Sequence, residues 1–134
     1  GRYGATPIPT EIIEITIEYI ESLLPVVPDG FVMEEPVVFI DDISNDIEYN
    51  AYYYCDNKYI SFSAIEQQDG NVSVYQKDDN AVQEIYIGDL VFYIFLNNKS
   101  SSAAWKVSNL ECFISTNLPL DELIQIIYDS YEEK

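Results

Sequence analysis

Alternating apolar and polar residues, broken by two-residue turns, fill the second half of the chain from residue 82 to residue 131. The strand-like segments are residues 82–87, 90–97, 103–107 and 110–116. Turns such as Gly88-Asp89 and Ser108-Asn109 are too short for the crossover that a parallel pair of strands needs. The pattern therefore predicts the closing part of a small antiparallel sheet.

The first half continues the same pattern. Tyr-rich segments at residues 47–54 and 59–67 flank Asp56-Asn57, a pair suited to a tight hairpin turn. A further strand is predicted at residues 72–76. Residues 31–40 are typical of two short extended segments interrupted at Pro36, which favours a position near a sheet edge.

A helix is predicted at each end of the sheet. At residues 10–24 acidic and apolar side chains fall on separate helical faces, which favours a helix over the strand that the alternation at residues 13–19 also allows. Residues 119–131 carry Asp121 and Glu122 in the first turn and an apolar stripe behind them. We therefore expect an α+β fold in which an antiparallel meander of about five to seven strands packs against both helices. A flexible entry at residues 1–9 precedes a single domain at residues 10–134.

The charge of the chain limits the kinds of partner that it can bind. The 24 acidic and 6 basic residues give a formal net charge of −18, which disfavours binding to nucleic acid or to anionic lipid surfaces. No Lys or Arg occurs from residue 3 to residue 57, a stretch that holds 12 of the acids. A solvated surface is the favoured interpretation, and a docking surface for a basic protein partner or for cations is the alternative.

Residue counts exclude most enzyme chemistry. The chain has no His and only five Gly, so His-dependent triads, His-based metal sites and Gly-rich phosphate loops are missing. Adjacent carboxylates such as Glu34-Glu35 are expected by chance in so acidic a chain. We expect a protein that is not an enzyme and that carries no cofactor.

The two cysteines, Cys55 and Cys112, each lie in a strand-like segment. Two buried thiols are the favoured interpretation, and a disulfide in an oxidising compartment is the alternative.

Two sets of residues are candidates for binding. Loop carboxylates of the right ligand type for calcium lack the spacing of a dedicated calcium loop, so a hydrophilic turn is favoured for them. They are Asp41, Asp42, Asp46, Asp78 and Asp79. The candidate recognition surface combines the acids of the first helix with part of the Tyr-rich hairpin, although a structural role is favoured for the tyrosines. It comprises Glu11, Glu14, Glu18, Glu21, Tyr52, Tyr53 and Tyr54.

Several motifs together resemble a known family. They are Val27-Pro28-Asp29-Gly30-Phe31, the Tyr-rich hairpin at residues 54–62, Ile85-Tyr86-Ile87-Gly88, Val91-Phe92-Tyr93, Ala104-Trp105-Lys106-Val107, Cys112-Phe113-Ile114 and residues 118–124. Over about residues 26–131 the chain is similar to domain of unknown function 4367, although Pro119 stands where that family usually caps its last helix with a hydroxyl. The resemblance implies an extracytoplasmic domain of a membrane-anchored protein in Gram-positive bacteria, sometimes one with an anti-sigma-factor module. It supplies no catalytic residues.

The start of the chain leads to the same expectation. The sequence begins at Gly1 and its only Met is Met33, so we expect an upstream targeting segment, anchor or domain. The leading hypothesis is a non-enzymatic extracytoplasmic domain for protein recognition or envelope sensing, tethered to the cell membrane. The alternative is a cytoplasmic acidic inhibitor or immunity-type protein that binds a basic partner.

Overall fold

The fold combines two helices with one antiparallel sheet in the part of the chain that the computed structural model describes, residues 10–67 and 81–132. The helices are α1 (Thr10–Glu21) and α2 (Leu120–Tyr131). The strands are β1 (Val32–Met33), β2 (Val37–Ile40), β3 (Ile47–Cys55), β4 (Lys58–Glu66), β5 (Gln83–Ile87), β6 (Leu90–Leu96), β7 (Ser101–Val107) and β8 (Leu110–Thr116). The expected α+β class is confirmed. The strand predicted at residues 72–76 and the entry segment at residues 1–9 lie outside the described residues.

Strand order across the sheet is β1-β3-β4-β8-β7-β6-β5, and β2 shares with β1 the same outer side of β3. The turns predicted at Asp56-Asn57, Gly88-Asp89 and Ser108-Asn109 each join neighbouring antiparallel strands. The sheet departs from one continuous meander where β4 pairs with β8, with Ala64 opposite Cys112. Short turns specify only hairpins, so this pairing of distant segments was not visible in the turn residues.

One face of the sheet is apolar and is covered by both helices. Alternate residues of the central strands point to this covered face, as the strand period of two requires. Its fully buried side chains include Tyr49, Phe62, Phe92, Ile94, Trp105, Cys112 and Ile114, and the helices add Ile20, Leu123, Ile126 and Ile127. Burying one such aliphatic or aromatic side chain contributes about 1.5–3 kcal/mol.

Aromatic rings fill the middle of this core. The Trp105 ring centroid lies 4.8 Å from that of Phe92 and 5.0 Å from that of Tyr131 on α2. Phe62 reaches the same indole at 6.3 Å. Trp105 is therefore a core anchor beneath α2.

Helix α2 is also held by polar contacts with the segment that follows α1. The Tyr131 hydroxyl donates to the Leu23 carbonyl at 2.7 Å, and the Val26 amide donates to the Ser130 hydroxyl at 2.8 Å. At its other end the helix begins without a side-chain cap, and the Pro119 carbonyl accepts from two amides of the first turn. Both helices are thereby joined on the covered face.

The cysteines are free thiols. Cys55 lies opposite Lys58 and Cys112 lies opposite Ala64, so six residues of β4 separate them along the sheet. At about 3.3 Å per residue that is roughly 20 Å, well beyond the roughly 7 Å that a disulfide spans between Cα atoms. The favoured interpretation of two buried thiols is therefore confirmed only in part, because neither thiol is paired and Cys112 is buried, but Cys55 is partly exposed.

Candidate recognition surface

An exposed apolar strand forms one border of the sheet. All four residues of β2 are exposed, and its inner side pairs with β3 through Val38 opposite Tyr49 and Ile40 opposite Ile47. Phe39 is 58% exposed. Pro36 separates this strand from β1, as the sequence predicted. We call the outer side of Val37–Ile40, away from β3, the β2 edge.

A carboxylate shapes the turn that follows β2. Asp41 Oδ1 accepts hydrogen bonds from the amides of Ile43 and Ser44, both at 2.8 Å. These bonds hold the pKa of Asp41 below its usual range because they favour the charged carboxylate, and the bond from Ser44 has the largest effect. The turn also places Asn45 at a φ of 64°, a region that Asn tolerates. Asp41 therefore serves the local backbone.

Beside this turn lies a cavity of about 420 Å³ bordered by four carboxylates. We call it the acidic pocket, and its acids are Asp41, Asp46, Glu48 and Glu66. No Lys or Arg occurs among its lining residues within the described chain. Phe39 of β2 also lines it, so the acidic pocket and the β2 edge form one continuous surface.

Several oxygen atoms at this end of the sheet are buried and lack a donor among the described residues. They are Asp46 Oδ1 and Gln67 Oε1, which belong to lining residues of the acidic pocket, and Glu111 Oε2. Gln67 Nε2 donates to Glu111 Oε1 at 3.0 Å and connects the last two groups. Buried acceptors without donors cost free energy, so this region is suited to a ligand that supplies N–H groups.

Glu111 is 5% exposed and faces Lys106 on the neighbouring strand. Burial raises the pKa of Glu111, and the positive charge of Lys106 opposes that rise. Glu111, Glu48, Glu66 and Gln67 were not among the residues predicted from the sequence. Strand alternation was an available signal for Glu48 and Gln67, because it places them on one face of the predicted β3–β4 hairpin, whereas the pairing of β4 with β8 was needed to bring Glu111 beside them.

The residues that the sequence predicted as a recognition surface do not lie together. Glu11, Glu14, Glu18 and Glu21 are exposed on α1, over the covered face of the sheet. Tyr52 and Tyr54 are exposed on the opposite face of β3, and Tyr53 is a core residue that is 6% exposed. Alternation along β3 thus separates these tyrosines, while the acids of α1 remain a separate surface.

Of the calcium candidates, Asp41 and Asp46 both line the acidic pocket. Among residues 10–67 and 81–132, no group of three or more Asp, Glu or Cys is placed to hold a metal ion. Asp41 uses its carboxylate in the turn described above. Asp78 and Asp79 lie outside the described residues.

A second groove, of about 440 Å³, crosses the uncovered face of the sheet and is lined by serines. The Ser63 hydroxyl donates to Asn50 Oδ1 at 2.9 Å, and the Ser61 hydroxyl donates to the Ser115 carbonyl at 3.4 Å. These hydroxyls are engaged with the sheet itself. In a chain without His, none of them is paired with an imidazole base.

A model of the family described as "Domain of unknown function (DUF4367)" matches residues 21–128. The chain belongs to this family. The match spans the end of α1, the whole described sheet and most of α2, so the acidic pocket and the β2 edge are parts of a DUF4367 domain. The resemblance recognised in the sequence is confirmed.

Other comparisons of this DUF4367 domain add little. None of the curated proteins matches the chain. A GTP binding regulator from Thermotoga maritima is similar at 12% identity with a TM-score of 0.49, over 84% of each chain. A likeness this slight carries no functional argument. No helix in the described part of the chain has the length and apolar character needed to cross a membrane.

Proposed function

We propose that this DUF4367 domain is a non-enzymatic recognition domain that binds a basic protein partner at the acidic pocket. One observation carries the proposal. Two buried oxygens of the pocket, Asp46 Oδ1 and Gln67 Oε1, have no donor among the described residues, and no cation lines the pocket there. Lys and Arg side chains supply N–H donors and the opposite charge.

The net charge of the whole chain supports the same partner. A formal charge of −18 attracts a basic protein over long range and repels acidic ones, so association should be fast at low salt and slow at high salt. The acids of α1 contribute to this attraction without being part of the contact.

Binding of a basic model peptide tests this role. A nine-residue arginine peptide is titrated into the chain by calorimetry, and the double variant D46N/E48Q is compared with D121N/E122Q. Both variants lose two charges, but only the first alters the acidic pocket. We expect at least about tenfold weaker binding for D46N/E48Q alone, equal to about 1.4 kcal/mol. Equal losses in both variants would contradict a localised site.

We further propose that the domain lies outside the cytoplasm, tethered to the membrane, where partner binding serves envelope sensing. Protease treatment of intact cells carrying the full-length protein tests this location. Cleavage of the domain before lysis is expected. Protection until lysis would instead favour a cytoplasmic inhibitor of a basic partner, which the same acidic pocket would suit.

A further inference from the structure

The backbone of the β2 edge is open to hydrogen bonding. The Asp41 amide donates to the Asp46 carbonyl at 2.9 Å, so residue 41 belongs to a hydrogen-bonded pair of the ladder. Such pairs alternate along an antiparallel strand. The main-chain groups of Val37 and Phe39 therefore point to β3, and those of Val38 and Ile40 point outward. Within the described chain, no strand pairs with this outer side.

The side chains of the same strand are exposed and apolar. Natural edge strands are usually protected by short length, Lys, Pro, bulges or inward-pointing charges, since an open apolar edge invites pairing with another chain. β2 is short, follows Pro36 and is offset by one residue from β1 in its pairing with β3, but no Pro and no charged residue lies within Val37–Ile40. Ile43 in the following turn is 87% exposed and extends the apolar surface. A strand added at this edge would cover the side chains of β2 and of Ile43.

Charge decides which kind of strand fits. Glu34 and Glu35 precede β2, and Asp41 and Asp42 follow it. A second copy of this chain, paired in either direction through β2, would set carboxylates beside carboxylates at both ends, which is destabilising. A strand that carries Lys or Arg meets the opposite charge at both ends and at the acidic pocket.

We propose that the β2 edge receives an extended basic segment of the partner as an added strand. Its main chain pairs with the outward groups of Val38 and Ile40. Alternate basic side chains lie on the side of Phe39 and the acidic pocket, and the intervening apolar residues lie on the side of Val38 and Ile40. This mode of binding combines main-chain affinity with side-chain specificity, and the inference rests on the function proposed above.

Three synthetic peptides test strand addition without altering the protein. One is an eight-residue peptide that alternates arginine and valine, and the other two carry N-methyl groups on either the arginine amides or the valine amides. In antiparallel addition only the valine amides face β2 while the arginines lie toward the acidic pocket, and in parallel addition only the arginine amides do. Whichever direction is used, one set of amides is left out of the contact. We expect one methylated peptide to bind like the parent and the other to bind at least about tenfold more weakly.

Two variants of the protein test the same edge. Val38→Pro removes a donor that points outward, a position where edge strands accept proline, whereas Val38→Thr keeps the donor and makes the side chain polar. We expect at least about tenfold weaker binding of the parent peptide by V38P and near-normal binding by V38T. Far-UV circular dichroism checks that V38P keeps the sheet, and the methylated peptides decide the outcome if it does not.

The results separate this inference from the proposed function. Equal binding of all three peptides, lost in D46N/E48Q, would overturn strand addition and leave the basic partner in place. No binding of any peptide would overturn both. A concentration-dependent dimer that V38P abolishes, seen by analytical ultracentrifugation, would show that the edge receives a second copy and would also overturn the inference.

Discussion

The Tyr49 hydroxyl donates a hydrogen bond of 2.9 Å to Glu21 Oε2 and so joins the sheet to the last residue of α1. Tyr49 is fully buried on the covered face of β3, while Glu21 is exposed. Burial, and then this hydrogen bond, raise the pKa of Tyr49. One acid of the helix that sequence analysis assigned to recognition therefore also has a structural role.

Replacing Tyr49 by Phe removes this bond and little else. We expect the free energy of unfolding to fall by about 1 kcal/mol, the typical net contribution of such a bond. Urea denaturation of Y49F, E21Q and the double variant forms the test. The double variant should lose no more than Y49F alone, and fully additive losses would contradict a direct coupling.

Trp105 should be the most costly single truncation in the core. It contacts Phe92 and Tyr131 and is 1% exposed. Trp105→Ala should lower the free energy of unfolding by about 3–5 kcal/mol because it leaves a cavity among rings. The exposed Tyr86 serves as the control, and Y86A should stay within about 0.5 kcal/mol by circular dichroism in urea.

Gly30 should not tolerate a side chain. Its φ is +96°, and a Cβ atom there would lie 3.4 Å from Cys55 Sγ. Gly30→Ala should cost about 1–3 kcal/mol because the backbone conformation is strained for other residues. Gly88 has a φ of +58° with no atom within 4 Å of such a Cβ. We expect G88N to cost clearly less than G30A in thermal denaturation.

Alkaline pH should weaken the fold from about pH 9 upward. Burial raises the pKa of Cys112 from 9.0 to about 12, and burial also raises the pKa of Tyr49, Tyr53 and Tyr131. The folded state therefore favours the neutral groups. Their contribution to the free energy of unfolding is complete below the pKa values that these groups have in the unfolded chain. It is lost as the pH rises toward the pKa values that they have in the folded protein.

Urea denaturation at a series of alkaline pH values measures this decline. C112A removes the group whose pKa in the unfolded chain is the lowest of the four. The decline in stability should therefore begin at about pH 10, where Tyr begins to ionise in the unfolded chain, and not at about pH 9. An identical pH profile for C112A and the wild type would exclude the Cys112 contribution.

Glu111→Gln should become relatively more stable as pH rises from about 4 to 7. Burial raises the pKa of Glu111. The favourable contribution of Glu111 to the free energy of unfolding is therefore present below its pKa in the unfolded chain, and it is lost as the pH rises through its pKa in the folded protein. The difference in unfolding free energy between E111Q and the wild type should therefore shift toward the variant. A difference in unfolding free energy that stays constant over this pH range would contradict the prediction.

The local pattern of the sequence was enough to predict most elements. Gly88-Asp89 and Ser108-Asn109 join strands as expected, and Pro36 divides β1 from β2. These features follow from backbone preferences and from alternation of neighbouring residues, which depend on a few adjacent positions. The candidate site was predictable only in part. The β3–β4 hairpin that the sequence predicted brings Asp46 near Gln67, whereas Glu111 reaches Gln67 only because β4 pairs with β8 across the sheet.

The sequence by itself determined the α+β class, the family and the acidic character of the first half, because turn residues, strand alternation and charge are local properties of the chain. The tertiary structure decided which of the many acids share a pocket and which face of each strand is buried. Pairing between distant strands is selected by the packing of whole faces and not by any short motif. For this reason the Tyr53 side of β3 became the core face, and Tyr52 and Tyr54 stayed exposed on the other face.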